Sequence, residues 1–84
     1  MTLSETITNK IRQCDLAGAV AAWENPTTGR RIEVRRSPWW TRQYPDYCTR
    51  HYTNNHLTEC TNGLSLENAG WEVAIWKREQ GLES

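Results

Sequence analysis

The sequence predicts an α+β domain, with one N-terminal helix packed on a small antiparallel sheet of four to five strands. Three observations point to it. Leu3, Ile7, Ile11 and Cys14 recur at helical spacing. Arg31-Ile32-Glu33-Val34-Arg35 alternates polar and apolar residues, the period of a half-buried strand. Turn-forming clusters, Asn25-Pro26-Thr27-Thr28-Gly29 and Asn54-Asn55, stand between extended runs.

Taken in order, Thr2-Leu3-Ser4-Glu5 has the form of a capping box, so the helix is expected over about residues 3 to 15, ending before Gly18. Residues 19 to 24 allow two readings. The favoured one is a strand ending near Trp23, hairpinned to 31–35; the other continues the helix through Ala22. Pro38 and Pro45 make Ser37 to Asp46 a loop or irregular edge. Tyr47 to Thr53 and Leu57 to Thr61 form a second hairpin across Asn54-Asn55. Asn62 to Gly70 reads as polar turns. Trp71-Glu72-Val73-Ala74-Ile75-Trp76 reads as a final strand with Trp71, Val73 and Ile75 on one face. The β-rich part thus spans about 19–77, and residues 78–84 form a polar tail.

The 84 residues make a single small domain, too short for a cofactor-binding unit plus a substrate domain. Five tryptophans and no phenylalanine predict a tryptophan-centred core, with Trp23 and Trp71 in it and Trp76 on the opposite strand face. No run approaches about 18 apolar residues, so no helix is expected to span a membrane. The first residues are not basic and apolar, which sets the expectation of a cytoplasmic protein. A cell-envelope location is the alternative if a signal was removed.

Net charge is zero, but unevenly placed. Residues 30 to 50 carry +4, and their six cations are all arginine. Arginine favours forked pairing and aromatic stacking. The expected partner-binding residues are therefore Arg31, Arg35, Arg36, Arg42 and Arg50 with Trp39, Trp40 and Tyr44, on a surface that meets an acidic protein. Nucleic acid is the other anionic partner such residues suit. A purely structural role is the bland alternative, with strand arginines pairing across the sheet and Trp39-Trp40 forming a corner of the core.

Cys48-x2-His51-x4-His56-x3-Cys60 contains a zinc-capable donor set, spaced like a zinc knuckle. A regular strand, however, sends Cys48 and His51 to opposite faces. If the hairpin sets residue 48 opposite 60, Cys48 and Cys60 are placed for a disulfide. If a two-residue turn sets 49 opposite 60, they face apart. Three cysteines cannot all pair within one chain; in a reducing compartment all are thiols. Catalysis by Cys48 with His51 or His56 lacks an orienting third group, so no enzyme and no cofactor are expected.

Three segments resemble the C-terminal domain of the seventeen-kilodalton surface antigens of bacterial envelopes, over residues 19 to 75. Trp23-Glu24-Asn25-Pro26-Thr27-Thr28-Gly29 resembles that family's turn. Tyr47-Cys48-Thr49-Arg50-His51-Tyr52-Thr53 resembles its first cysteine strand, and Cys60 with Gly70-Trp71-Glu72-Val73 its second cysteine and closing strand. The resemblance implies a small β-rich domain with a Cys48–Cys60 pair and a non-enzymatic envelope role.

The residues themselves favour a small binding module that blocks a larger partner sterically. Phage-encoded anti-defence inhibitors have this size and composition. The chain is expected as a monomer or a homodimer, the latter because Cys14 is spare and the core thin.

Overall fold

The computed structural model describes residues 2–82. Its elements are α1 (Leu3–Leu16), β1 (Ala21–Asn25), β2 (Arg30–Arg36), β3 (Tyr47–Thr53), β4 (His56–Leu64) and α2 (Leu66–Glu79). The four strands form one antiparallel meander in the order β1-β2-β3-β4. The α+β class holds, with a second helix in addition to the expected one.

Helix α1 starts as its sequence dictates. The Thr2 side chain accepts from the Glu5 backbone N–H at 3.2 Å, supplying a partner to an otherwise orphan donor. Ile7 and Ile11 are buried. The helix stops because Gly18 adopts φ +71°, which lets its N–H reach Asp15 O and the Ala19 N–H reach Cys14 O. That left-handed residue removes the alternative of a helix continuing through Ala22.

The β1–β2 hairpin turns on Asn25, whose Oδ1 accepts from the Thr27 N–H at 3.2 Å. Its Nδ2 donates to Gln80 Oε1 at 3.0 Å, which ties the turn to the end of α2. Gly29 closes the turn at φ +72°, and its carbonyl accepts from the Asn54 N–H at 2.9 Å. A side chain on Gly29 would strike Asn54, so this glycine also stitches the two hairpin tips together. Asn54 and Asn55 both have positive φ, as a two-residue hairpin turn requires.

Two corrections concern the C-terminal part. Asn62 to Leu64 continue β4, and residues 66 to 79 form a helix instead of turns and a final strand. Ser65 caps that helix, accepting from the Asn68 N–H at 3.1 Å. Glu67 in the first turn and Lys77 and Arg78 in the last complement the helix dipole. The buried residues are Ala69, Gly70, Val73, Ala74 and Trp76, at helical and not alternating spacing. Trp71 and Ile75 therefore lie outside the core, and Trp76 is the buried tryptophan among the described residues. The polar tail is shorter than expected: α2 runs through Glu79 and Leu82 packs on the core, while residues 83 and 84 lie outside the described ones.

Both helices cover the same face of the sheet. The core between them contains Ile7, Ile11, Ile32, Val34, Val73 and Trp76 among others. The helices meet closely at Gly70, where an added Cβ would lie 2.1 Å from Thr8 Oγ1 and 3.3 Å from Ser4 O. Alanine is the better helix former by about 1 kcal/mol. Even so, Gly70→Ala should lower the unfolding free energy by about 1–3 kcal/mol through overpacking. Urea unfolding checks this; a gain in stability would mean that the helices do not approach so closely.

Candidate recognition surface

Alternation along β2 and β3 sends opposite parities to opposite faces. Ile32, Val34, Tyr47, Thr49 and His51 look toward the helices. Thr49 Oγ1 donates to Glu72 Oε1 at 2.9 Å, and His51 Nε2 lies 3.6 Å from the same oxygen. The other parity brings Arg31, Glu33, Arg35, Cys48, Arg50 and Tyr52 onto the face no helix covers. The register sets Arg31 opposite Tyr52, Glu33 opposite Arg50 and Arg35 opposite Cys48.

These side chains organise one another. Arg31 stacks on the Tyr52 ring with 4.4 Å to its centroid, donates through Nε to Glu33 at 3.2 Å, and reaches Asn55 Oδ1 at 3.0 Å. Arg35 donates to the other oxygen of Glu33. Glu33 is thus held between two arginines and keeps both lying along the sheet. The Tyr52 hydroxyl beside Arg50 holds that guanidinium still more firmly protonated. The Nε atoms of Arg35 and Arg50 are enclosed without a hydrogen-bond partner.

The expected binding residues divide into three groups. Arg31, Arg35 and Arg50 share the uncovered face. Arg36 and Trp40 belong to the packing instead: Arg36 Nε donates to Asp15 Oδ1 at 2.6 Å, and its guanidinium lies 3.5 Å over the Trp40 ring. Tyr47 Oη donates to the same carboxylate at 3.1 Å, and Trp40 rests against the core. Trp39, Arg42 and Tyr44 project from the loop between β2 and β3, with Trp39 67 % and Tyr44 77 % exposed.

That loop is pinned at both ends. Ser37 N donates to Asp46 O at 3.0 Å, and the Ser37 hydroxyl donates to the Asp46 carboxylate. At the tip, Thr41 N donates to Tyr44 O and Tyr44 N to Thr41 Oγ1. Trp39, Tyr44 and Pro45 line a groove of about 520 Å³ with Asn62 and Gly63 of β4. Asn62 and Gly63 form a bulge opposite Cys48, so the aromatic groove adjoins one end of the arginine face.

The edges of the sheet are less accessible than its face. Lys10 reaches over β1, with Nζ 3.5 Å from Ala22 O and 4.7 Å from the Trp23 ring centroid. Edge strand β4 carries two register shifts. Charge over one edge and bulges in the other hinder strand addition.

The cysteine and histidine cluster is split between the two faces of the sheet. His51 faces α2 and Cys48 the opposite side, and among the described residues no group of three or more His, Cys, Asp or Glu is placed to hold a metal. The turn has two residues, as one alternative required, but Thr58 is an extra residue in β4. That shift sets Cys60 opposite Arg50 and returns it to the Cys48 face, one diagonal away. Cys14, Cys48 and Cys60 are all free thiols, so the Cys48–Cys60 disulfide does not form here. Sequence reasoning left Tyr52 out of the binding set; its two-residue spacing from Arg50 was the available signal.

No protein-family model, curated protein or solved structure matches the chain.

Burial pushes the Cys48 thiol above its ordinary range, with Cys60 adding to the effect and Arg50 opposing it. Burial also raises the Tyr47 hydroxyl, and Asp15 adds to that. Both groups hold their protons more tightly folded than unfolded. Their stabilising effect is complete below the ordinary thiol pKa of about 8.5 and is lost as pH climbs. Urea unfolding should therefore show stability falling above about pH 9. Cys48→Ala should flatten the first part of that fall; an unchanged slope would contradict the assignment.

Proposed function

We propose that this protein is a non-enzymatic binding module that docks its uncovered sheet face on an acidic protein surface and blocks that surface sterically. The observation behind this reading is the grouping of Arg31, Arg35 and Arg50 with Tyr52 on one open face. Forked cations and aromatic rings dominate the energetics of protein interfaces. Arginines held along the sheet by Glu33 lose less conformational entropy on binding than free ones. Trp39 and Tyr44 supply exposed apolar area at the end of that face.

The surroundings of Cys48, the nucleophile candidate, support a role without catalysis: it is buried and faces away from His51. A small inhibitor of the kind phages direct against host defence fits the size and composition. A second reading, single-stranded nucleic acid, is favoured by exposed Trp39 and Tyr44 beside the arginines, since bases stack on such rings.

Cross-linking in the producing cell, followed by mass spectrometry, identifies what touches the face. Reversing Arg31 and Arg50 to Glu should weaken capture of the partner at least about tenfold. Trp39→Ala should weaken it without moving the urea midpoint, whereas Trp40→Ala should lower the midpoint by unpacking the core. Capture that survives the arginine reversal removes the reading. Recovery of nucleic acid with a steep salt dependence selects the second one.

A further inference from the structure

The outer face of α2 lies outside both the core and the arginine surface. Trp71 is 57 % and Ile75 45 % exposed, one helical turn apart. At 100° per residue, Glu67, Arg78, Trp71, Ile75, Asn68 and Glu79 fall in that order across an arc of about 120°. All six are exposed. The arc has an apolar centre, Glu67 in its first turn, and Arg78 with Glu79 in its last.

We propose that this face receives a second copy of the chain, with the two α2 helices antiparallel about a two-fold axis. Such an axis, perpendicular to both helices, reverses their direction and keeps each margin of the arc on its own side. Glu67 then meets the partner's Arg78, and Asn68 meets the partner's Glu79, each twice. Trp71 packs against the partner's Ile75 at the centre, where an aromatic and an aliphatic side chain exclude water. The antiparallel arrangement also opposes the two helix dipoles. Parallel pairing aligns them, with Glu67 facing the partner's Asn68 and Arg78 facing the partner's Glu79, so the opposed dipoles select the antiparallel form. A chain of zero net charge presents little long-range repulsion between copies.

The dimer buries the helix layer and leaves the sheet layer outermost on both sides. The two arginine faces then point away from each other, available to two partner surfaces at once. The inference does not depend on what those faces bind.

Sedimentation equilibrium of the full chain, over a wide concentration range, tests it. The wild type should be dimeric. Trp71→Ser with Ile75→Ser should give a monomer with unchanged circular dichroism. Glu67→Arg alone and Arg78→Glu alone should each weaken the dimer roughly tenfold, by setting like charges opposite each other twice. Mixing those two variants should restore association, because every margin contact becomes complementary in the mixed dimer. A wild type that stays monomeric at all concentrations overturns the proposal, and leaves the face to a different partner. A dimer that survives the double serine variant, or charge variants that do not rescue each other, overturns it as well.

Discussion

At Gly70 the backbone of α2 comes so close to Thr8 and Ser4 of α1 that no side chain fits between them. The contact sets the two helices side by side in one layer. Together they can cover only one face of a four-stranded sheet. Ile32 and Val34 on that face are almost wholly enclosed, as are Ile7, Ile11 and Val73 opposite them. Among the described residues no further helix or strand lies on the other side. The uncovered face is therefore a consequence of the core, and its residues must be soluble there.

Solubility is met in a particular way. Instead of dispersed lysines, the face carries Arg31 and Arg35, which share Glu33, and Arg31 also stacks on Tyr52. Like charges close together normally repel, and Glu33 between Arg31 and Arg35 offsets part of that repulsion. The result is a flat, ordered, cationic surface. A similar division occurs around Asp15, which joins Arg36, Tyr47 and the C-terminal end of α1 on the covered side. Arginines one residue apart thus serve different ends, because strand alternation assigns them to different faces.

Much of this was legible in the residues. The capping threonine, Gly18, the Asn25–Gly29 turn and the Asn54-Asn55 turn carry local signals strong enough to place α1 and two hairpins. Helix α2 reads as a strand in the sequence for a physical reason. Trp71, Val73 and Ile75 alternate, and Gly70 resembles a breaker, yet Gly70 is a packing residue and the buried positions follow a period of 3.6. The Trp39-Trp40 pair was legible as a loop feature but not as a divided one, since nothing in neighbouring loop residues tells which ring turns inward. The cysteine register depended on bulges at Thr58 and at Asn62-Gly63, which insert single residues and carry no strong local signature.

The central claim is that both helices lie on one sheet face and leave the other open. Nuclear Overhauser contacts in the isotope-labelled protein test it most directly. The account predicts contacts from Val73 and Trp76 to Ile32 and Val34, and none from either helix to the Tyr52 ring or the Arg31 side chain. Contacts between a helix and Tyr52 would contradict it, because the arginine face would then be covered.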